Sequence, residues 1–209
     1  MTTDDLSYVG PPVDDPGTLK QLPADLRALL EERDGFIAYR GGLHLRGACH
    51  APRWHSLGYW WRGDDALHRL FTAVQPSDVP FGEDALGDQF LLRDGEVHRL
   101  VAESGELEAL GMGLRGFLHA SANDPEGFLS LEPLYHFLDE GGMLMPGQLL
   151  SVYPPFATEE ARNGVTLKPV PAEERIHFLS KLAEAVSRHV DGTRLEIDPG
   201  EQDASNAGE

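Results

Sequence analysis

From Leu22 the apolar residues recur as Leu22, Leu26, Leu29 and Leu30, the spacing of one helical face, with Pro23 in the first turn and Asp34-Gly35 as the stop. The next run, FIAYRGGLHLRG, alternates Phe36/Ala38 and then Leu43/Leu45 around Gly41-Gly42, which predicts two short strands joined by a glycine turn or bulge. Between His55 and Phe71, Leu57/Tyr59/Trp60/Trp61 and then Leu67/Leu70/Phe71 fit short helical turns broken at Gly63. Asp94-Gly95 is the strongest hairpin signal in the chain, because a type I′ turn needs positive φ at both central residues and this dipeptide tolerates it. A two-residue loop sets the register: Arg93 opposite Glu96, Leu92 opposite Val97, Leu91 opposite His98 and Phe90 opposite Arg99. Arg93 and Glu96 are then expected to compensate each other's charge. A second turn at Glu103-Ser104-Gly105-Glu106 leads to a third strand over Leu107–Leu110.

Further on, Leu114, Phe117 and Leu118 share a helical face that ends near Asn123-Asp124-Pro125, and Phe128–Phe137 predicts another helical segment ending at Gly141-Gly142. PGQLLSVYPPF and GVTLKPV read as strands. A closing helix from about Pro171 carries Ile176, Leu179, Leu182, Ala183, Val186 and Val190 on one stripe, with Asp191-Gly192 as its stop. The fold class is α+β: a twisted, mainly antiparallel sheet, a meander with a DG hairpin, flanked by helices. Residues 1–19, with four aspartates and few periodic apolar positions, are expected to be a mobile N-terminal segment. Residues 20–192 are expected to form a single α+β domain, and 193–209 an acidic, largely mobile tail.

Composition narrows the function. A chain of 209 residues with 41% hydrophobic content holds one sizeable core. There is no run of eighteen apolar residues, and the N-terminus has neither a basic nor an apolar leader region, so neither a membrane span nor a secretion signal is expected. A single cysteine, Cys49, agrees with a reducing, cytoplasmic address. The formal net charge of −18 is uneven: residues 81–110 hold eight acids against Arg93 and Arg99. A nucleic acid backbone would be repelled by such a surface, whereas a basic protein would be attracted.

Candidate chemistry is thin. Cys49, His50 and His55 lie in a C-H-x₄-H run, but a zinc site needs four ligands and the fourth is missing nearby. Asp84, Asp88 and Asp94 do not follow calcium-loop spacing. No G-x-S-x-G elbow or Walker loop occurs, Gly111-Met112-Gly113 with Gly116 precedes a helix but lacks the βαβ setting of a dinucleotide fingerprint, and nothing among 35 acids singles out a catalytic pair. No metal, cofactor or catalytic residue is therefore expected. Trp54, Trp60 and Trp61, three in eight positions beside Arg53 and Arg62, would suit a binding patch, but at least two of the three are expected in the core.

The ordered set FIAYRGGLHLRG, the Trp-rich bridge, EDALGDQFLLRDGEVHRLVAESGELEAL, a helix containing GFL and a final helix leading into DGTRLEI resembles the SUKH superfamily, which joins yeast-type cell-wall synthesis regulators to bacterial immunity proteins. The resemblance spans roughly residues 20–197, with residues 83–110 as its most specific piece. The connection TEEARNGVTLKPVPAEER departs from the glycine-rich one expected of closer relatives. The resemblance implies a twisted sheet flanked by helices, no catalytic apparatus, and neutralisation of a toxin, frequently a nuclease, by direct binding. The expected function is thus a non-enzymatic cytoplasmic binding protein whose partner is a basic protein. The candidate partner-binding residues are Glu83, Asp84, Asp88, Glu103, Glu106 and Trp54. A regulatory or scaffold module for an endogenous partner and an unrecognised hydrolase are the alternatives, and the oligomeric state is left open.

Overall fold

The computed structural model describes residues 6–188. Leu6–Val9 (β1), Pro16–Leu19 (α1), Ala24–Glu32 (α2), Phe36–Ala38 (β2) and Leu43–Leu45 (β3) open the chain. Leu57–Arg62 (α3) and Leu67–Leu70 (α4) lead to Val79–Asp84 (β4), Gln89–Arg93 (β5), Glu96–Val101 (β6) and Glu106–Ala109 (β7). Leu114–Asn123 (α5), Pro125–Leu129 (α6), Glu132–Asp139 (α7), Gln148–Tyr153 (β8), Thr166–Pro171 (β9) and Ala172–Arg188 (α8) complete it.

Strands β1 to β7 pair in sequence order as an open antiparallel meander, and β8 with β9 makes a separate two-stranded ribbon. This is the α+β architecture expected from the patterning. The DG hairpin is its best-determined corner. Asp94 and Gly95 take φ of 52° and 83°, and the β5–β6 register runs Arg93↔Glu96, Leu92↔Val97, Leu91↔His98 and Phe90↔Arg99. The guanidinium of Arg93, however, turns away from Glu96 and grips Asp78, donating from Nε at 2.8 Å and from Nη2 at 2.7 Å. Asp78 is buried and offers both oxygens, so a bidentate contact replaces the expected exposed pair.

Alternation along the strands gives the sheet two different faces. On one, Phe36, Ala38, Leu43, Leu45, Phe81, Phe90, Leu92 and Val97 pack with Leu26 and Leu30 of α2, Phe117 of α5 and Leu134 of α7. On the other, Leu91 and Leu100 pack with Trp60, Leu67, Leu149 and the stripe Ile176, Leu179, Leu182 of α8. Trp60 and Trp61 are buried, as expected of at least two tryptophans.

Three expectations need correction. Residues 6–19 are not a loose arm: β1 adds a strand beside β2, and Asp15 caps α1 by accepting from the backbone N–H of Thr18 at 3.0 Å. The segment Phe128–Phe137 is two helices, because Ser130 adopts a left-handed φ of 56° between α6 and α7. The stretch Val79–Asp84, assigned to no element from its pattern, is a strand buried along its whole length. Residues 1–5, the stop at Asp191-Gly192 and the tail 193–209 lie outside the described residues. Among the described residues no helix is long and apolar enough to cross a membrane.

Candidate functional site

On its second face, near the β1 end, the sheet carries a strip of mostly polar side chains, interrupted by Ile37. Cross-strand pairing of Tyr8 with Ile37, Ile37 with His44, His44 with Glu83 and Glu83 with Gln89 puts these residues in a row over five strands. Arg46, two residues after His44, joins the same face. All but Tyr8 are buried.

The row is closed by hydrogen bonds. Arg46 Nη2 donates to Glu83 Oε2 at 2.7 Å and to Gln89 Oε1 at 2.6 Å, and Nη1 donates to the Pro80 carbonyl at 3.1 Å. Gln89 Nε2 donates to Gly87 O at 2.8 Å and to Glu83 Oε2 at 3.2 Å. Glu83 Oε1 meets His44 Nδ1 at 2.9 Å, His44 Nε2 meets His55 Nδ1 at 2.8 Å, and His55 Nε2 meets the Asp34 carbonyl at 2.9 Å. The Arg46 guanidinium lies 5.3 Å from the Trp60 ring centre. Burial would push the Glu83 carboxyl up, but Arg46, His44 and Gln89 together hold it down at about 2. Burial pushes His44 and His55 down, His55 to about 4, against the pull of Glu83 on His44 and of the Asp34 carbonyl on His55.

His55 fits where it does because three glycines make room for it. A β-carbon on Gly10 would come within 2.4 Å of His55 Nε2 and 1.9 Å of Asp34 O, and one on Gly47 within 2.7 Å and 2.5 Å of the same atoms; Gly35 is similarly close. Trp54 and Tyr8 cover the rings, with Trp54 5.2 Å from His44 and 5.4 Å from His55, and Tyr8 5.1 Å from His55, centre to centre. A small cleft beside them, about 10 Å³ or roughly one water, is bordered by Ser7, His44, Glu83, Met145, Gly147 and Gln148.

A second polar cluster lies under the N-terminal half of α8. Asp84 Oδ1 accepts the backbone N–H groups of Leu86, Gly87 and Asp88 at 2.9–3.0 Å and so shapes the β4–β5 turn. Asp88 takes Arg99 Nε at 2.7 Å and the Ala102 N–H at 2.9 Å. Glu103 accepts the N–H groups of Phe156 and Ala157 and stands 3.7 Å from the buried Arg175. Burial and the neighbouring Asp88 raise Asp84 well above the usual carboxylate range.

The six residues expected at a partner interface therefore scatter. Glu83 and Trp54 come together around His44 and His55. Asp84, Asp88 and Glu103 gather around Arg99 and Arg175. Glu106 stands exposed on the edge strand β7. The expectation that Glu83, Asp84 and Asp88 present an acidic surface is wrong, because each is buried and committed to a guanidinium, an imidazole or backbone N–H groups inside the fold. His44, Arg46, Gln89 and Asp34 were missed. In LHLR the polar residues alternate with leucines and read as a solvent face, and only the covering Trp54–His55 segment, distant in sequence, turns that face inward.

A run of exposed acids lies on a separate stretch of the chain. From Gly116 to Ala161 the chain contains seven acids and no lysine or arginine, and Asp124, Glu126, Glu132, Asp139, Glu140, Glu159 and Glu160 are all exposed. The stretch DEGGMLMPG at the end of α7 and after it sets Met143 and Met145, 66% and 55% exposed, beyond Asp139, Glu140 and two glycines, with Met145 bordering the cleft. Cys49 is buried, with its thiol pushed up to about 12, and His50 is exposed. Among the described residues no three His, Cys, Asp or Glu side chains are arranged to hold a metal ion.

No family model and no curated protein matches the sequence. The fold is similar to that in the crystal structure of Atu4351 from Agrobacterium tumefaciens, with a TM-score of 0.51 and 12% sequence identity over 85% of this chain and 86% of that one. At that identity the likeness establishes a shared fold alone.

Proposed function

We propose that this is a non-enzymatic, cytoplasmic protein-binding module of the SUKH type, an immunity protein that neutralises a basic toxin by direct contact. The observation that carries the reading is the loop Asp139–Pro146, where two exposed methionines follow two exposed carboxylates in a stretch of chain without a single lysine or arginine. Unbranched, polarisable methionine adapts to an irregular partner surface, and the surrounding carboxylates draw a cationic one in. The buried ionic strip behind the cleft supplies a fixed platform rather than contacts.

The test is capture of partners from the native cell's lysate on immobilised protein, followed by reconstitution with the purified partner. The expected result is a basic protein released as salt rises, whose toxicity on expression is suppressed by this chain. Met143→Asp and Met145→Asp together should weaken the purified pair by tenfold or more. A partner that binds the double variant as tightly as the parent would overturn the assignment of this face, and loss of the toxicity protection with binding intact would overturn the immunity role.

A further inference from the structure

His44 and His55 form a chain of three contacts between two groups that only accept. At one end stands the Asp34 carbonyl, 2.9 Å from His55 Nε2; at the other stands Glu83 Oε1, 2.9 Å from His44 Nδ1; the two rings meet in the middle at 2.8 Å. A carbonyl oxygen has no proton to give, and neither has an ionised carboxylate. Both end contacts thus require a proton on the imidazole nitrogen, and the central contact requires one more on either ring. Three protons are needed on four nitrogens, whereas two neutral imidazoles carry two. A neutral pair would leave one contact lone pair to lone pair: at His55 Nε2 against Asp34 O, at His44 Nδ1 against Glu83, or between the two rings.

We propose that His44 and His55 together bind one additional proton in the folded protein at neutral pH and share a single positive charge between Glu83 and the Asp34 carbonyl. This goes beyond the partner-binding reading and does not depend on it. Every element packed on the pair bears on the charge. Glu83 on β4 faces His44, and the Asp34 side chain lies near His55, with Asp14 and Asp15 beyond it. Arg46 opposes the charge, but its Nη2 already serves Glu83 Oε2 and Gln89. Tyr8 on β1 and the Cys49 thiol are held neutral, both pushed up by burial. The two imidazoles lie side by side, 5.1 Å between centres and 22° between planes, and the Trp54 and Tyr8 rings pack against them at 5.1–5.4 Å in tilted to edge-on contacts. Burial works against the charge and, for each ring taken singly, outweighs the pull of Glu83 and of the Asp34 carbonyl, so the shared proton rests on the hydrogen-bond chain, whose three contacts two neutral rings leave one proton short. Protons reach the pair from the cleft, which His44 and Glu83 border.

The pair can be read out in the unmodified, full-length protein. Among the described histidines only these two are buried, so their ring N–H protons persist in water while those of exposed histidines exchange away. Nitrogen-15 NMR of the histidine-labelled protein at pH 7 should show three slowly exchanging ring N–H signals, coupled so that raising the pH removes one of them and moves the resonances of both rings together. Two ring N–H signals at pH 7, with or without a carboxylic proton on Glu83, would overturn the proposal.

Discussion

A carboxylate with 1% of its surface exposed stays ionised only if the groups around it repay its lost hydration. For Glu83 those groups are Arg46, His44 and Gln89, and they lower its proton affinity to about 2. Its folded value lies below the ordinary 4.5, so its stabilising contribution is present above that value and is lost as pH falls towards 2. Glu83→Gln keeps the shape but strands Arg46, and should cost roughly 3–5 kcal/mol in urea unfolding at pH 7 while flattening the loss of stability between pH 4.5 and 2. Asp34 has the opposite sign. Burial first, then Asp14 and Asp15, raise it from 3.8 to about 6 against the N–H of Ala48, and its Oδ2 has no partner. Its contribution is fully present below pH 3.8 and is lost as pH rises through 6. Asp34→Asn retains an acceptor for Ala48, so its melting temperature should fall less than the parent's between pH 4 and pH 7.5. At pH 7.5 the variant should be the more stable by roughly 1–2 kcal/mol, the full shift being halved for the solvent that reaches the carboxyl.

At the scale of elements, the parts that patterning predicts well are those whose signal is local. The DG hairpin needs two residues with positive φ and an alternating flank, and both are contiguous in sequence. Gly95 has nothing within 4 Å of where a β-carbon would be, so Gly95→Ala should cost only the left-handed backbone, about 1–2 kcal/mol by chemical denaturation, while Asp94→Gly should leave stability nearly unchanged. Helices α2 and α8 were legible for the same reason, since their apolar stripes have helical spacing over nine and seventeen residues. Strand β4 was not, because a strand buried on both faces shows no alternation, and VPFGED joins a proline, a glycine and two acids that each read as a turn or a surface. β1 was hidden by its proline-rich and acidic surroundings. The ionic strip was the least legible feature: its burial depends on His55 and Trp54 folding back over residues 37, 44 and 83, and the glycines that permit this, Gly10, Gly35 and Gly47, look like ordinary turn residues in sequence.

Across the whole molecule the same acids that make the chain so negative divide into two populations with different work. Glu83, Asp84 and Asp88 hold strands, turns and arginines in place, and reversing their charge would report on folding, not on recognition. The exposed acids of 116–161, apart from Asp124, which caps α6 by accepting from the Gly127 N–H, are free of that duty, and a basic partner would meet them first. Net charge alone, however, would attract a cation to any part of a −18 molecule, so the face must be separated from the total. Two double replacements do this, because each changes the charge by the same amount: Asp139→Lys with Glu140→Lys beside the exposed methionines, and Glu106→Lys with Glu108→Lys on the β7 edge. If recognition is local, the first should slow association with the captured partner by tenfold or more at low salt and the second by less than threefold. The difference should shrink as ionic strength shortens the screening length, with both melting temperatures close to that of the parent. Equal slowing by the two pairs would mean that the partner is steered by the overall field and that the contact face lies elsewhere on the molecule.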